Sequence, residues 1–301
     1  MGRLIRPSLV ILLIAVLAGC GRSVTSTSTP NDQMSGSEAT VWGSAVKVTW
    51  WYFEDDGEEY ECTGGSGTLV SSTDQVLTAA HVVDWTRDKE ESCPGAVLWV
   101  GYPVEARGQE FVWWKAKVVA SDETLDVALL EVDLLAQPDG ANDATGAISA
   151  IRDGSWGVRS IAPESGGPNL GDALHALSYP GIGGWGITYT AGAAAGWSVI
   201  YPDETEYSFE YLKLDLTVAG GSSGAGVLNE REELVGVIVQ GGADWDSDAV
   251  DCRKLADTND DGEVDERDTC IPFGGFINAA LSLYDVRGFL KEHGALVVPQ
   301  E

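Results

Sequence analysis

Basic residues and histidines are scarce in this sequence. Its 301 residues contain 18 lysines and arginines against 47 aspartates and glutamates, which gives a formal net charge of -29. This balance argues against nucleic acid as a partner, because phosphate binding requires clustered Lys and Arg. Only three histidines are present, no two cysteines have the C-x-x-C spacing of a metal site, and no internal repeat is evident. The chain is long enough for one large or two small domains with a core.

The sequence also lacks an apolar run of the roughly 20 residues that a transmembrane helix needs. The apolar run at residues 9–17 follows Arg3 and Arg6 and ends near the letters LAGC. A basic start, a short apolar run and small residues at its end are typical of an export signal. The LAGC end resembles the lipobox of bacterial lipoproteins, which implies a signal peptide at residues 1–19 and a lipidated Cys20. An ordinary secretory signal with a chance cysteine is the alternative.

The segment at residues 20–40 is polar and rich in Ser and Thr. Such a composition cannot bury enough apolar surface to fold, so we interpret it as a flexible tether between a membrane and a folded domain. Gly21 rather than Asp follows the cysteine, which favours the outer membrane if the host has two. We therefore expect an exported, lipid-anchored protein of a bacterial cell envelope, with its domain at residues 41–294 and a tail at 295–301.

Four further cysteines are available for disulfides: Cys62, Cys93, Cys252 and Cys270. An even number in an exported protein implies disulfide bonds, and four cysteines allow three connectivities. Their sequence neighbourhoods favour Cys62–Cys93 and Cys252–Cys270.

Short runs of β-branched and aromatic residues, broken by Gly, Asp and Pro, follow residue 41. Examples are AVKVTWWYF, QVLTAAHVV, AVLWVGY, DVALLEV and ELVGVIVQGG. This spacing is typical of an all-β sandwich or barrel, and residues 136–146 are a plausible seam between two halves. Near the end, Val286, Phe289 and Leu290 share one helical face and Gly294 provides a stop, which predicts a C-terminal helix.

Three short segments carry residue types that could act together. His81 lies in TAAHVV, Asp126 begins DVALL, and two adjacent serines lie in GGSSGAGV at residues 220–227. A lone histidine at a strand end is more often a packed core residue. A serine hydroxyl, however, needs a base to become a nucleophile, and imidazole titrates near neutral pH. A carboxylate can then orient the imidazole and stabilise its charged form.

In this order, TAAHVV, DVALL and GSSGAGV resemble the His, Asp and Ser motifs of chymotrypsin-like (trypsin-like) serine proteases. The nearest branches are bacterial, of the HtrA and glutamyl-endopeptidase types. CTGGSGTLVSS, SYPG and Asp215 support the resemblance, which covers roughly residues 41–294. It implies an all-β, two-barrel chymotrypsin-like fold with a C-terminal helix. It also implies a monomeric serine endopeptidase that cleaves polypeptides through an acyl-enzyme.

The resemblance assigns roles to individual residues. Ser223 matches the nucleophile, His81 the base and then the acid, and Asp126 the carboxylate that orients the imidazole. The backbone N–H groups of Gly221 and Ser223 would form the oxyanion hole, where glycine avoids a Cβ clash. Ser222 is expected to point elsewhere.

Some features depart from the pattern or compete with it. Asp122, Glu123 and Glu131 are rival carboxylates near the DVALL motif, and Ala225 stands where the family commonly has Gly. Thr217 replaces the acid found in members that cleave after Lys or Arg, which favours a small or medium apolar P1 residue. A catalytically inactive pseudo-protease, acting as a calcium-stabilised binding domain, is one alternative. An esterase or transferase is another, although GSSGAG does not meet the G-x-S-x-G elbow.

A second motif lies between the last two cysteines. Residues 257–268 read DTNDDGEVDERD and fit the D-x-N-x-D-G calcium loop, with Gly262 at the sharp turn. Calcium prefers six to eight oxygen ligands, and this spacing supplies them from one loop. The candidate ligands are Asp257, Asn259, Asp261, Glu263, Asp265 and Asp268. We therefore expect a structural Ca2+ in an EF-hand-like insertion at residues 252–270; a solvated acidic loop is the alternative.

Overall fold

The computed structural model describes most of the chain after residue 41. The described residues are 42–53, 59–84, 91, 93–105, 107–140, 144–181, 186–201, 208–240, 252–253, 271–272 and 277–296. The expected signal peptide (1–19), tether with Cys20 (20–40) and calcium loop (257–268) lie outside these residues. In the described part of the chain, no helix has the length and apolar character required to cross a membrane.

Strands of the first half form a closed antiparallel barrel. They are β1 (Ala45–Phe53), β2 (Glu59–Leu69), β3 (Gln75–Thr78), β4 (Val97–Pro103), β5 (Phe111–Asp122), β6 (Val127–Val132) and β7 (Asp139–Gly140). Their order is β4-β1-β2-β3-β6-β5-β7, and a further pairing of β4 with β5 closes the barrel.

The first barrel closes around alternate apolar side chains, as the period of a strand requires. In β1, Val46 and Val48 are fully buried, and Val48 pairs with the buried Val100 of β4. Gly67 of β2 leaves room for this interior, because an added Cβ would lie 2.5 Å from Cγ1 of Val76.

Strands of the second half form another closed barrel. They are β8 (Ala173–Ser178), β9 (Thr188–Ile200), β10 (Phe209–Asp215), β11 (Gly226–Asn229), β12 (Leu234–Gln240) and β15 (Asn278–Ser282). Two further strands, β13 (Cys252–Arg253) and β14 (Ile271–Pro272), form a separate two-stranded sheet. The closed order is β10-β15-β12-β11-β8-β9. A separate apolar cluster that includes Leu174, Leu212, Val227 and Ile238 fills this barrel.

Helices are short in the described residues. They are α1 (Ala80–Val83), α2 (Thr145–Arg152) and α3 (Leu283–Glu292).

Helix α3 begins and ends as the sequence predicts. Ser282 caps it by accepting a hydrogen bond from the N–H of Asp285. Val286, Phe289 and Leu290 are buried, and Gly294 follows the helix with φ of +71°. The predicted C-terminal helix and its buried face are confirmed.

The chain between the barrels binds both of them. The N–H of Arg159 donates to the carbonyl of Leu69 at 3.0 Å, and Ile161 forms a bridge with Leu234. The all-β, two-barrel fold is therefore confirmed. The predicted disulfide between Cys62 and Cys93 is also present, with Cα atoms 6.3 Å apart. The Cys252–Cys270 bond stays a prediction, because Cys270 lies outside the described residues.

Candidate active site

His81 lies on a single helical turn that follows β3. Ala80, Val82 and Val83 of α1 are buried, whereas the His81 side chain is 49% exposed. The small and β-branched residues of the turn pack against the barrel, so the imidazole is left facing outward. Helix α1 therefore presents the imidazole of His81 at the end of a strand.

Asp126 lies at the last position of the turn before β6. The Asp122 carboxylate accepts hydrogen bonds from the N–H groups of Thr124 and Leu125 at 2.9 and 3.0 Å, which fixes this turn. Asp126 itself has φ of +54°, in the left-handed region where few residues other than glycine lie. This backbone conformation directs the side chain toward α1.

The two carboxylate oxygens of Asp126 both bind His81. Oδ1 accepts from the backbone N–H of His81 at 2.9 Å, and Oδ2 lies 2.7 Å from Nδ1. A carboxylate can only accept, so Nδ1 carries a proton and the neutral ring has its lone pair on Nε2. The rival carboxylates have other surroundings: Asp122 holds the turn, Glu131 pairs with Lys117 at 2.7 Å, and Glu123 is exposed.

The two adjacent serines have different environments. Ser222 is 2% exposed, and its Oγ lies 3.1 Å from Oγ of Ser178. Its Oγ also accepts from the N–H of Ala219 at 3.3 Å. Ser223 is only half-buried. The structure therefore directs Ser222 into the second barrel and leaves Ser223 nearer the surface.

Ser66 of β2 holds the backbone on both sides of these serines. Its N–H donates to the carbonyl of Ser223 at 2.8 Å, and its Oγ donates to the carbonyl of Gly221 at 2.7 Å. The same Oγ accepts from the N–H of Tyr179 at 2.9 Å. One residue of the first barrel thus holds the loop at residues 220–225 of the second half, which we call the serine loop.

Gly221 has a backbone conformation that leaves no room for a side chain. Its φ is +95°, and an added Cβ would lie 2.5 Å from the carbonyl oxygen of Tyr179. The N–H groups of Ser222, Gly224 and Ala225 donate to backbone carbonyls. Among the described residues, the N–H groups of Gly221 and Ser223 donate to no protein acceptor. These two N–H groups can therefore donate hydrogen bonds to a ligand oxygen.

The serine loop and helix α1, which carries His81, both contact Gly65. An added Cβ there would lie 2.7 Å from Cγ2 of Val82 and 2.9 Å from the carbonyl oxygen of Ser223. The next loop residue, Gly224, packs so closely on Thr78 and Ala79 that a Cβ would lie 2.2 Å from Oγ1 of Thr78. The structure therefore brings the Ser223 loop to the same place as the His81–Asp126 pair.

A cavity of about 380 Å³ adjoins this place. Its walls include Lys47, Glu61, Gly64, Gly65, Gly220 and Gly221. Sequence reasoning missed Lys47, Glu61 and the linking role of Ser66. The available signal for the pair was a lysine within the apolar run AVKVTWW, because the ammonium group of a buried strand lysine needs a nearby carboxylate.

The metal prediction is not tested by this geometry. In the ranges that the structure describes, no group of His, Cys, Asp and Glu could hold a metal ion. The six expected calcium ligands, Asp257 to Asp268, all lie outside those ranges.

Two antiparallel barrels, with an imidazole–carboxylate pair beside a serine in a glycine-rich loop, define a protein of the serine hydrolase class. The family model described as a trypsin-like peptidase domain matches residues 65–237, more than half of the chain. The chain belongs to this family of proteases.

Solved structures agree in fold. The Rv3671c protease from M. tuberculosis in its active form aligns with a TM-score of 0.52 and 20% identity, over 87% of this chain and 86% of that one. An inactive form carrying a serine-to-alanine substitution has a TM-score of 0.51 and 20% identity, over 87% of this chain and 92% of that one. None of the curated proteins is significantly similar in sequence to this chain.

Proposed function

We propose that this chain is a serine endopeptidase that cleaves polypeptides through an acyl-enzyme. Ser223 is the nucleophile, His81 the general base and then the general acid, and Asp126 the residue that orients the imidazole. The observation that carries the proposal is the double contact between Asp126 and His81, at 2.9 and 2.7 Å. It fixes the tautomer in which Nε2 carries the lone pair that can accept a proton.

The proposed reaction proceeds in two halves. Oγ of Ser223 attacks the scissile carbonyl carbon while its proton passes to Nε2 of His81. The oxygen that becomes negative accepts hydrogen bonds from the N–H groups of Gly221 and Ser223, each worth roughly 3–4 kcal/mol of barrier. His81 then gives its proton to the amine that leaves. A water molecule, deprotonated by the same imidazole, hydrolyses the acyl-enzyme and restores Ser223.

The residues before Ser223 bear on which substrate side chain is preferred at P1, on the acyl side of the scissile bond. Thr217 lies six positions before Ser223 and carries no charge. A Lys or Arg side chain would therefore find no carboxylate at this position. A small or medium apolar P1 residue is the preference that we propose.

A fluorophosphonate probe tests the proposed nucleophile directly, because it labels only an activated serine. We expect labelling of the wild-type protein and none of Ser223→Ala. Ser222→Ala is the matched control: it removes the neighbouring hydroxyl, which is buried against Ser178, and should still be labelled. If a folded wild-type protein is not labelled, the chain is a binding domain without turnover and the proposal is wrong.

We also propose a structural Ca2+ in the loop at residues 257–268. The support is the acidic spacing of the loop, together with the pairing of Cys252 with Pro272, which brings the two ends of the insertion together. Because the insertion joins β12 to β15, ordering it would stabilise the second barrel. Chelation is expected to lower the melting temperature, and calcium to restore it; Asp257→Asn with Asp261→Asn should abolish the response. An identical melting temperature with and without chelator would contradict this site.

The proposed place of action is the bacterial cell envelope. It rests on the lipobox-like LAGC and the Ser- and Thr-rich segment that follows Cys20. A lipidated Cys20 would anchor a monomeric protease domain at the membrane, in the outer membrane where the host has one.

A further inference from the structure

The cavity beside Gly221 lies on a defined side of the proposed reaction centre. One wall is formed by Glu61, Gly64 and Gly65 of β2, and another by Gly220 and Gly221. Neither β12 nor the segment at residues 217–219, which would flank the acyl side chain, lines this cavity in the described part of the chain. Since Gly65 also packs against the helix of His81, the cavity faces the group that His81 protonates. It therefore lies on the leaving-group side of the scissile bond.

A charged pair lies in the wall of this cavity. Nζ of Lys47 on β1 lies 2.9 Å from both oxygens of Glu61 on β2. The hydroxyl of Thr49 donates to Oε1 of Glu61 at 3.0 Å. Gly64 makes room for the carboxylate, because an added Cβ would lie 2.6 Å from Oε1. The sequence thus places a glycine where the charged pair needs space.

The two members of the pair are not equally accessible. The Lys47 side chain is 10% exposed, whereas the Glu61 side chain is 26% exposed. Burial lowers the pKa of Lys47, while the hydrogen bond and the charge of Glu61 oppose that shift. The ammonium group of Lys47 is therefore paired with the Glu61 carboxylate and largely shielded from solvent. The carboxylate is the charge that a substrate side chain would contact in the cavity.

The charge of the whole chain acts in the same direction. With a formal net charge of -29, the protein attracts cationic peptides and repels acidic ones. A carboxylate that already binds Lys47 and Thr49 still has lone pairs for another donor, since each carboxylate can accept about four hydrogen bonds.

We propose that the Lys47–Glu61 cavity is a specificity subsite for the leaving-group half of the polypeptide, and that it accepts a Lys or Arg side chain against the Glu61 carboxylate. This assignment rests on the proposed peptidase function. Glu61 is the residue that determines the preference, and Lys47 and Gly64 position it.

The test is a library of fluorescence-quenched peptides varied at the first two positions after the scissile bond. The full protein is used, and kcat/KM is compared between Lys or Arg and Asp or Glu at each position. We expect a five- to tenfold preference for the basic residue at one of the two positions. Equal rates for basic and acidic residues at both positions, in a protein that the fluorophosphonate labels, would overturn the subsite while leaving the peptidase function intact.

Two variants separate a specificity role from a merely structural one. Glu61→Gln keeps the volume but removes the carboxylate charge, so the preference for basic residues should be lost. Lys47→Met keeps the buried stem and frees the carboxylate, so the preference for basic residues should increase. The ratio of the two rates is measured within each variant, which cancels any general loss of activity. Identical ratios in both variants and the wild type would show that the pair is only structural.

Discussion

At the scale of single residues, Asp126 combines an unusual backbone conformation with a specific side-chain contact. It combines a left-handed backbone, with φ of +54°, and two hydrogen bonds to one residue, His81. A non-glycine residue in this region carries strain that the surroundings must offset. Leu125, which is 5% exposed, and the Asp122 turn supply those surroundings. The strain therefore serves to aim a carboxylate at the imidazole.

Asp126→Asn is the sharpest test of that role. Asn tolerates the left-handed region almost as well as Asp, so the backbone should be retained. Its amide group can donate to the ring, which favours the tautomer with the proton on Nε2 and removes the base. We expect kcat to fall by about 10⁴-fold. The melting temperature should change little.

The matched control for Asp126→Asn is Glu131→Gln. Glu131 is an exposed carboxylate close in sequence, paired with Lys117. The peptidase activity of the Glu131→Gln variant should equal that of the wild-type protein. A decrease in kcat of less than tenfold for Asp126→Asn would exclude Asp126 as the orienting residue.

At the scale of elements, β2 aligns the serine loop with the histidine helix. Ser66 binds the carbonyls of Gly221 and Ser223, and two positions later Oγ1 of Thr68 accepts from the N–H of Gly226 at 2.7 Å. A single strand of the first barrel thus carries hydrogen bonds to both ends of the loop. Any displacement of β2 should move Ser223 relative to His81.

Gly65→Ala tests this alignment with one methyl group. The new Cβ would lie 2.7 Å from Cγ2 of Val82 and 2.9 Å from the carbonyl of Ser223, so α1 and the serine loop must separate. A displacement of about 1 Å can cost 10²-fold in rate. We expect a decrease in kcat/KM of that order.

Gly146→Ala is the control for the same chemical change. Gly146 lies in α2, and nothing lies within 4 Å of its added Cβ. Alanine is the better helix former, so this variant should be slightly more stable and fully active. If Gly65→Ala retained wild-type activity, the close contact between α1 and the serine loop would not limit catalysis.

The sequence predicted the elements better than it predicted the contacts between them. Strand alternation and the helical spacing of Val286, Phe289 and Leu290 are local patterns, and both are present in the structure. The hydrogen bond from Ser66 to Gly221 joins residues 155 positions apart, so no local pattern contains it. The Lys47–Glu61 pair depends on the register of β1 with β2, which only the closed barrel determines.

At the scale of the whole molecule, Arg159 joins the two barrels. Its side chain is 5% exposed; Nε donates to Oγ of Ser44 at 2.8 Å, and NH1 lies 3.1 Å from Oε2 of Glu232. The same Glu232 oxygen lies 3.3 Å from Nε2 of His175. A buried cation that loses its partner is costly, so this cluster holds the halves in one arrangement. His175 therefore has a structural environment, away from the proposed centre.

Three buried tyrosines make the free energy of unfolding depend on pH in the alkaline range. Burial raises the pKa of Tyr102 and of Tyr179. Burial, with the charges of Asp126 and Asp285, raises the pKa of Tyr211 to about 12. Tyrosine in the unfolded chain titrates near 10. Between these values the unfolded state binds fewer protons than the folded state, so stability falls as pH rises.

We therefore expect the free energy of unfolding to change little between about pH 7.5 and 9.5 and then to decrease by roughly 1.4 kcal/mol per pH unit for each of these tyrosines. Denaturant titrations at a series of pH values would measure the decrease, and tyrosinate absorbance would show that the ionisation of the three buried tyrosines coincides with unfolding. Tyr179→Phe removes one ionisable group, and with it the 3.1 Å bond to the carbonyl of Ala45, so it should be less stable at neutral pH but lose stability less steeply. An unfolding free energy that stays constant to about pH 11.5, or a folded protein whose tyrosines all ionise near pH 10, would contradict the burial of these hydroxyls.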